Sequence, residues 1–373
     1  MSTAPADLAA ARAALLPWYH AHRRDLPWRR TRDPYAIWIS EAMLQQTRVE
    51  TVIPYFERFL GQFPDVATLA TADIEDVYAA WAGLGYYSRA RNLHAAAGAI
   101  VARFGGRVPD DPEALRSLPG IGRYTAGAIA SIAFDRPEPI LDGNVERVLA
   151  RYVGLREDAR SPSGSATLWA AAETLARGPE PGALNQALME LGATVCTPRA
   201  PGCLVCPLFP GCRAHRDGDP EALPVKAPRA KPRAARAVAA LVQRRARVLA
   251  VRRPPGGLLG GLWELPGGDL AAGEPAADAL RRALRERTGL EVDGLVPAGT
   301  VEHVFTHRRL RLELFRCTVA SGRVRLHELA AHRWVSPSDL AGLAQGALTK
   351  KALARVLDAA APGARAASTR ATR

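Results

Sequence analysis

The stretch Leu118-Pro119-Gly120-Ile121-Gly122-Arg123-Tyr124-Thr125-Ala126 sets two glycines in a tight turn directly before a helical run. A turn of this kind aims backbone N–H groups and the positive end of the next helix outward, where phosphate is a natural guest. Taken alone, it is equally an ordinary connection between two helices. Further on, Ile140-Leu141-Asp142-Gly143-Asn144 opens another helix with Asp142 at or near its N-cap. Cap hydrogen bonds and the helix dipole predict an ionised Asp142, whether the residue is a structural cap or a functional carboxylate. Around these motifs the pattern is helical from Pro5 to about Leu191. Apolar residues recur at three- and four-residue spacing through 36–49, 52–63, 74–82, 90–104, 125–134, 145–153 and 184–191. No strand-like alternation interrupts this part.

The 373 residues suggest two or three domains, and 48% apolar with 23% charged residues is an ordinary globular composition. The net charge of +13 is less ordinary and makes polyanions candidate partners. There is no signal-peptide pattern at the amino terminus, and no apolar run approaches the ~18 residues of a membrane span, so a cytoplasmic chain without a membrane partner is expected.

Cys196, Cys203, Cys206 and Cys212 follow the spacing C-x6-C-x2-C-x5-C, with Pro198, Pro201, Gly202, Pro207 and Pro210 tightening the loops between them. Four thiolates this close can converge on zinc or on an iron-sulfur cluster; the single C-x2-C pair favours 4Fe-4S over a zinc ribbon. Cys317 stands alone in an apolar pattern and reads as a core residue. Residues 216–236 are rich in Pro, Ala, Lys and Arg and read as a basic linker. Beyond it, 237–242, 248–251 and 310–319 look like strands and 276–287 and 348–359 like helices, which gives an α+β domain.

Glu41 lies in Tyr35-Ala-Ile-Trp-Ile-Ser-Glu-Ala-Met-Leu-Gln-Gln-Thr47, after a helix start at Asp33-Pro34. Its helical neighbours Ile37, Trp38 and Leu44 place the carboxyl on an apolar face, where desolvation raises its pKa toward neutrality. One neutral and one ionised carboxyl is what glycosidic cleavage requires: an acid for the leaving group and an anion for the oxocarbenium ion.

Several long motifs together resemble the MutY family, adenine DNA glycosylases of the helix-hairpin-helix superfamily. They are Trp38-x-Ser40-Glu41-x-Met43-Leu44-Gln45-Gln46-Thr47, Gly83-Leu-Gly-Tyr-Tyr-Ser-Arg-Ala-Arg-Asn-Leu93, the 118–126 hairpin, Leu141-Asp-Gly-Asn-Val-x-Arg-Val148 and the cysteine spacing. The resemblance implies a monofunctional enzyme that removes adenine mispaired with 8-oxoguanine or guanine in duplex DNA. Glu41 would protonate the extruded adenine and later activate water, and Asp142 would stabilise or trap the sugar cation, with Tyr124 and Asn144 assisting at the sugar. Arg24, Leu26, Trp28 and Gln186 would line the base pocket, and Gln46 and Tyr86 would wedge the duplex; only alignment separates Tyr86 from its neighbour Tyr87. Gly120, Gly122 and Arg123 would bind DNA phosphate. Cys196, Cys203, Cys206 and Cys212 would hold a 4Fe-4S cluster. Endonuclease III relatives carry a Schiff-base lysine where this chain has Tyr124, so hydrolysis without a strong lyase step is expected. Tyrosine there also resembles thymine-mismatch glycosylases, which keeps a thymine or oxidised-pyrimidine glycosylase as an alternative.

Leu262-Trp-Glu-Leu-Pro-Gly-Gly268, Glu274 and Arg281-Arg-Ala-Leu-Arg-Glu-Arg-Thr-Gly-Leu290 resemble the Nudix box of pyrophosphohydrolases. Glu286 is kept, but Ala283 and Arg287 stand at the other two glutamate positions of the REUxEE pattern. The loss of acidic ligands predicts a recognition domain without hydrolase activity; a nucleotide hydrolase joined to a DNA-binding scaffold is the second alternative. By resemblance, Phe305, Thr306 and His307 would sense 8-oxoguanine. The expected architecture is therefore multidomain. Residues 1–215 form an all-α helix-hairpin-helix glycosylase region with the cluster loop at 196–212, followed by the 216–236 linker. Residues 237–360 form an α+β Nudix-like domain, and 361–373 a basic flexible tail. A nucleoid-associated monomer is expected; a replication clamp contact is left open.

Overall fold

Helix starts in the first part of the chain follow from side-chain caps. Asp7, Asp33, Asp65, Asp111, Asp142 and Ser161 each accept a hydrogen bond from a first-turn backbone N–H of the helix that follows, supplying partners the helix itself cannot. The computed structural model describes residues 6–227, 232–257, 259–305 and 307–358. Two units divide the chain: residues 1–80 with 91–229, and residues 81–90 with 230–373.

Among its described residues the first unit is helical, with an isolated β-bridge between Asp158 and Val225. Helix Pro181–Thr194 is the hub. It packs against Leu8–His22, Arg123–Phe134 and Gly143–Val153, and Pro34–Leu44 packs on Arg123–Phe134. Leu15, Tyr19, Ile140, Leu149, Leu168, Leu184, Leu188 and Leu191 share the resulting core. The crossing of Pro181–Thr194 with Gly143–Val153 depends on Gly192, where an added Cβ would lie 2.6 Å from the Asn144 Cβ. The hairpin has a similar constraint. Gly120 has φ of 77°, and a side chain there would run into Asn92, so glycine is required on both counts.

Seven strands form the sheet of the second unit: β1 Arg233–Arg244, β2 Arg247–Arg252, β3 Trp263–Glu264, β4 Gly267–Asp269, β5 Glu291–Val304, β6 Arg308–Ser321 and β7 Ala331–Val335. The main path runs β3-β2-β1-β6-β5; β4 pairs with β1 and β7 with β2. β1 and β6 are parallel and the remaining pairs antiparallel. Alternation along β1 feeds two cores. Ala237, Ala239 and Leu241 face a cluster that includes Leu340, Leu353 and Val356, whereas Val238, Ala240 and Val242 face Leu280 and Leu284 of helix Ala276–Thr288. Both faces are covered, which explains why β1 reads as a continuous apolar run. Cys317 is buried in the second of these cores, as its apolar neighbours predict.

The boundaries of the basic segment differ from the sequence reading. Its middle is tied down: Ala159 N–H donates to Val225 O (3.2 Å), Ala227 N–H to Asp158 Oδ2 (3.1 Å), and Lys226 pairs with Glu146 (2.9 Å). Its end, Arg233–Arg236, belongs to β1. The small alanines between these arginines fit a pleated ladder beside β6, although their composition suggested a solvated chain. Residues 228–231, Thr306 and the 361–373 tail lie outside the described residues. No helix among the described residues is long and apolar enough to cross a membrane.

Candidate active site

Pro34–Leu44 delivers Glu41. Asp33 caps this helix through Tyr35 and Ala36 N–H (3.0 and 3.3 Å), Pro34 occupies its first position, and every residue from Tyr35 to Met43 is buried. Glu41 is only 4% exposed, and its Oε2 accepts a 2.6 Å hydrogen bond from the Tyr124 hydroxyl. Burial pushes its carboxyl up to about 7; the Tyr124 bond and Arg29 oppose the rise, while Asp142 adds to it. Burial, reinforced by the charges of Glu41 and Asp142, holds the Tyr124 hydroxyl well above its ordinary value, so it stays a donor.

Asp142 caps Gly143–Val153. Its Oδ1 accepts from Asn144 N–H (3.0 Å) and Val145 N–H (2.7 Å), and its Oδ2 from the Asn144 amide (3.2 Å). These bonds pull the carboxyl down, but burial outweighs them and raises it above its ordinary value. Local cap chemistry was legible, but desolvation by the surrounding helices was not.

Glu41, Tyr124, Asp142 and Asn144 line one cavity of about 460 Å3 together with Arg24, Leu26, Trp28, Gln46 and Gln186. Sequence reasoning missed further wall residues, among them Arg29, Met189 and Glu190. Glu190 is 1% exposed and accepts from Arg24 Nε (2.8 Å), Arg24 Nη2 (2.9 Å), Arg24 N–H (3.0 Å) and Arg29 Nη2 (2.8 Å). Burial would raise its pKa, but the two guanidiniums hold it down at about 2. The available signal was a carboxylate inside the apolar stripe Leu184, Leu188, Leu191.

Gln46 and Tyr86, neither of them glycine, both adopt left-handed backbone, with φ of 61° and 46°. Such geometry is uncommon and costly outside glycine. Tyr86 is exposed and Tyr87 buried, a distinction the sequence left to alignment. Tyr86 and His307 are not among the residues that line the cavity. Arg123 bonds Glu173 (2.7 Å) and lies 3.6 Å from the Trp169 ring centroid, so its guanidinium is already engaged at the hairpin. Cys196, Cys203, Cys206 and Cys212 all border one small cavity of about 20 Å3, but among the described residues no three such side chains are gathered tightly enough for a single metal ion.

In the second unit the acidic remnants of the box carry internal partners. Arg282 bonds Glu274 (2.9 and 3.0 Å) and Glu286 (3.2 Å), and Arg287 donates to Gly267 O (2.5 Å). Ala283 is buried against Gly268. His303 and Phe305 meet edge to face at 4.6 Å, and the Arg308 guanidinium lies 5.4 Å from the Phe305 ring.

A capped helix, a glycine hairpin, and one buried and one half-buried carboxyl on a single cavity are the arrangement expected of a helix-hairpin-helix DNA glycosylase. Residues 39–171 match the HhH-GPD superfamily of base excision DNA repair proteins, and residues 237–355 match the NUDIX domain. The chain is 38% identical to the adenine DNA glycosylase of Rattus norvegicus, over 93% of this chain and 78% of the relative. Identity to the Homo sapiens adenine DNA glycosylase is 36%, over 96% of this chain and 76% of the relative. The chain belongs to the adenine DNA glycosylase family, enzymes of base excision repair that act on DNA. Its helical part also resembles a solved thermostable thymine-DNA glycosylase, with a TM-score of 0.53 and 30% identity, covering 56% of this chain and 97% of that one.

Proposed function

We propose that the protein excises adenine paired with 8-oxoguanine, or with guanine, from duplex DNA. The observation that carries this reading is Glu41, buried, bonded to Tyr124 and sharing one cavity with Asp142. A stacked adenine hides its glycosidic bond, so the base must leave the helix and enter this cavity. Gln46 and Tyr86 fill the space it vacates, and Arg24, Leu26, Trp28 and Gln186 surround it. Glu41, protonated at rest, donates to the leaving base; Asp142, with Tyr124 and Asn144 beside it, supports the sugar cation; Glu41 as carboxylate then activates water. Phe305, Thr306 and His307 read the opposing 8-oxoguanine, and the hairpin at Gly120, Gly122 and Arg123 meets the phosphates. Residues 1–215 thus carry excision and 237–360 carry lesion reading, within a monomer that works in the cytoplasm on nucleoid DNA.

Cys196, Cys203, Cys206 and Cys212 fit a 4Fe-4S cluster. All four thiols border one cavity, and four cysteine thiolates are the donor set of such a centre. Bound there, the cluster supplies a fixed, negatively charged anchor for the loop. Base removal is carried by the side chains of the larger cavity.

A single-turnover panel of A·8-oxoguanine, A·G, T·G and thymine-glycol duplexes tests the function. Excision from the A·8-oxoguanine duplex should dominate. Preference for T·G would establish the thymine reading, which the likeness to the thermostable thymine-DNA glycosylase favours.

Two further outcomes follow from the carboxyls. Because the acid form of Glu41 reacts, excision should fall about tenfold per pH unit once pH passes its value of about 7. A rate that climbs through that region would assign the acid elsewhere. Two carboxyls serving one sugar also suggest double displacement with retained configuration. Methanol present during turnover should therefore yield a retained methyl glycoside, and an inverted product would exclude Asp142 as nucleophile.

A further inference from the structure

Arg151 lies on helix Gly143–Val153 and is 2% exposed. Among the described residues no carboxylate pairs with it. A buried cation without a counter-ion is costly, so an Arg held in this way calls for negative charge nearby. Its guanidinium donates to Cys196 Sγ (3.3 Å), Thr197 O (2.7 Å), Pro198 O (3.2 Å) and Leu223 O (3.1 Å). Three of these acceptors are carbonyls, which offer lone pairs but no net charge. The fourth is a sulfur of the cysteine loop, where a thiolate-bound cluster would place the missing charge.

The same side chain grips the chain where it leaves the cysteine loop. Leu223 follows Glu221, whose Oε1 accepts from Ala200 N–H (2.9 Å) inside the loop. Beyond it come Val225, Lys226 and Ala227, tied to Asp158 and Glu146 as described. Arg151 thus stands between the two segments and bonds both.

We infer that Arg151 is a positioning residue that uses the negative charge at the cysteine site to pin both the cysteine loop and residues 220–227. Loading of the cluster then governs how firmly the chain is held as it leaves the helical unit. This rests on the reading of the four cysteines as cluster ligands.

The test compares full-length wild type, Arg151→Lys and Arg151→Met, all as purified, for iron and sulfide content, resistance of the visible absorbance to a chelator, and amide hydrogen exchange. Arg151→Met should lose its cluster about tenfold faster, the scale at which outer-shell partners act on metal sites. Peptides covering 220–227 should exchange correspondingly faster, in Arg151→Met and in wild type stripped of iron, while those covering 184–191 are unchanged. Arg151→Lys keeps the charge but not the fork, so it should protect the cluster more than it protects 220–227. Wild-type cluster retention and exchange in Arg151→Met overturn the assignment of Arg151 alone. Equal loosening of 184–191 in both variants also overturns it, because Arg151 would then be a general fold contact. Iron-free wild type would remove the cluster reading itself.

Discussion

Glu41→Gln removes adenine excision while leaving binding to the mispair nearly intact. Glutamine matches the protonated glutamic acid in shape and charge, and protonated is the form that burial favours up to about pH 7. Its carbonyl can still accept the 2.6 Å bond from Tyr124, so the cavity and its hydration change little. What disappears is a transferable proton at the leaving base. General acid–base contributions of this kind amount to about 10²–10⁴-fold in rate. Single-turnover excision should fall by that factor, while the dissociation constant for an A·8-oxoguanine duplex moves less than about threefold. Loss of affinity in proportion to rate would make Glu41 a binding group; an unchanged rate would place the acid elsewhere. Stability should hold or rise, because the variant no longer forces an ionisable group into an apolar wall.

Glu41 was legible because its signal is local: an acid flanked by Ile37, Trp38 and Leu44 on one turn of one helix. The hairpin was legible for the same reason, since Pro119, Gly120 and Gly122 impose their turn without help from the rest of the chain. Glu190 was not. Its partners Arg24 and Arg29 lie 166 and 161 residues away in sequence, and an isolated carboxylate on a helix ordinarily reads as a solvated one. At Asp142 the cap is encoded in Asp-Gly-Asn, while the dehydration that raises its carboxyl comes from helices packed around it. In the second unit, the strand from Val248 declares itself by an apolar run and the one from Leu310 by alternation of apolar and charged residues. β5 was missed because Gly294, Pro297 and Gly299 interrupt its alternation, and irregular pairing absorbs them between Asp293 and Val296 and between Pro297 and Gly299. β7 was missed because none of its residues is buried: three are half-buried and two exposed.

Glu190→Leu carries the largest expected loss of stability. The carboxylate is 1% exposed, between Arg24 and Arg29, whose side chains are 35% and 9% exposed. Removing it takes the shared carboxylate from two guanidiniums, although Arg29 keeps its bond to Arg24 O (3.1 Å). Breaking a buried pair costs about 3–5 kcal/mol, and the partial exposure of Arg24 places this case near about 3 kcal/mol. Urea unfolding of the full chain, followed by helical circular dichroism, should record that loss near pH 7. The pH dependence follows from linkage. Glu190 is held at about 2 in the folded protein, below the ~4.3 of an unfolded glutamate, so its contribution is complete above that value and declines as pH falls toward 2. Wild type and Glu190→Leu should therefore converge in stability under acid, and a gap that persists there would mean that the leucine misfits by shape. A triple variant, Arg24→Met, Arg29→Met, Glu190→Leu, separates charge from packing. Exchanging a whole buried ion network for apolar groups is often neutral or stabilising, whereas removing one member is not. The triple variant should regain most of the stability lost by Glu190→Leu and still excise poorly, because all three residues line the cavity beside Glu41. Recovery of excision along with stability would reduce the cluster to scaffolding; failure to recover stability would show that the fold depends on the ions themselves.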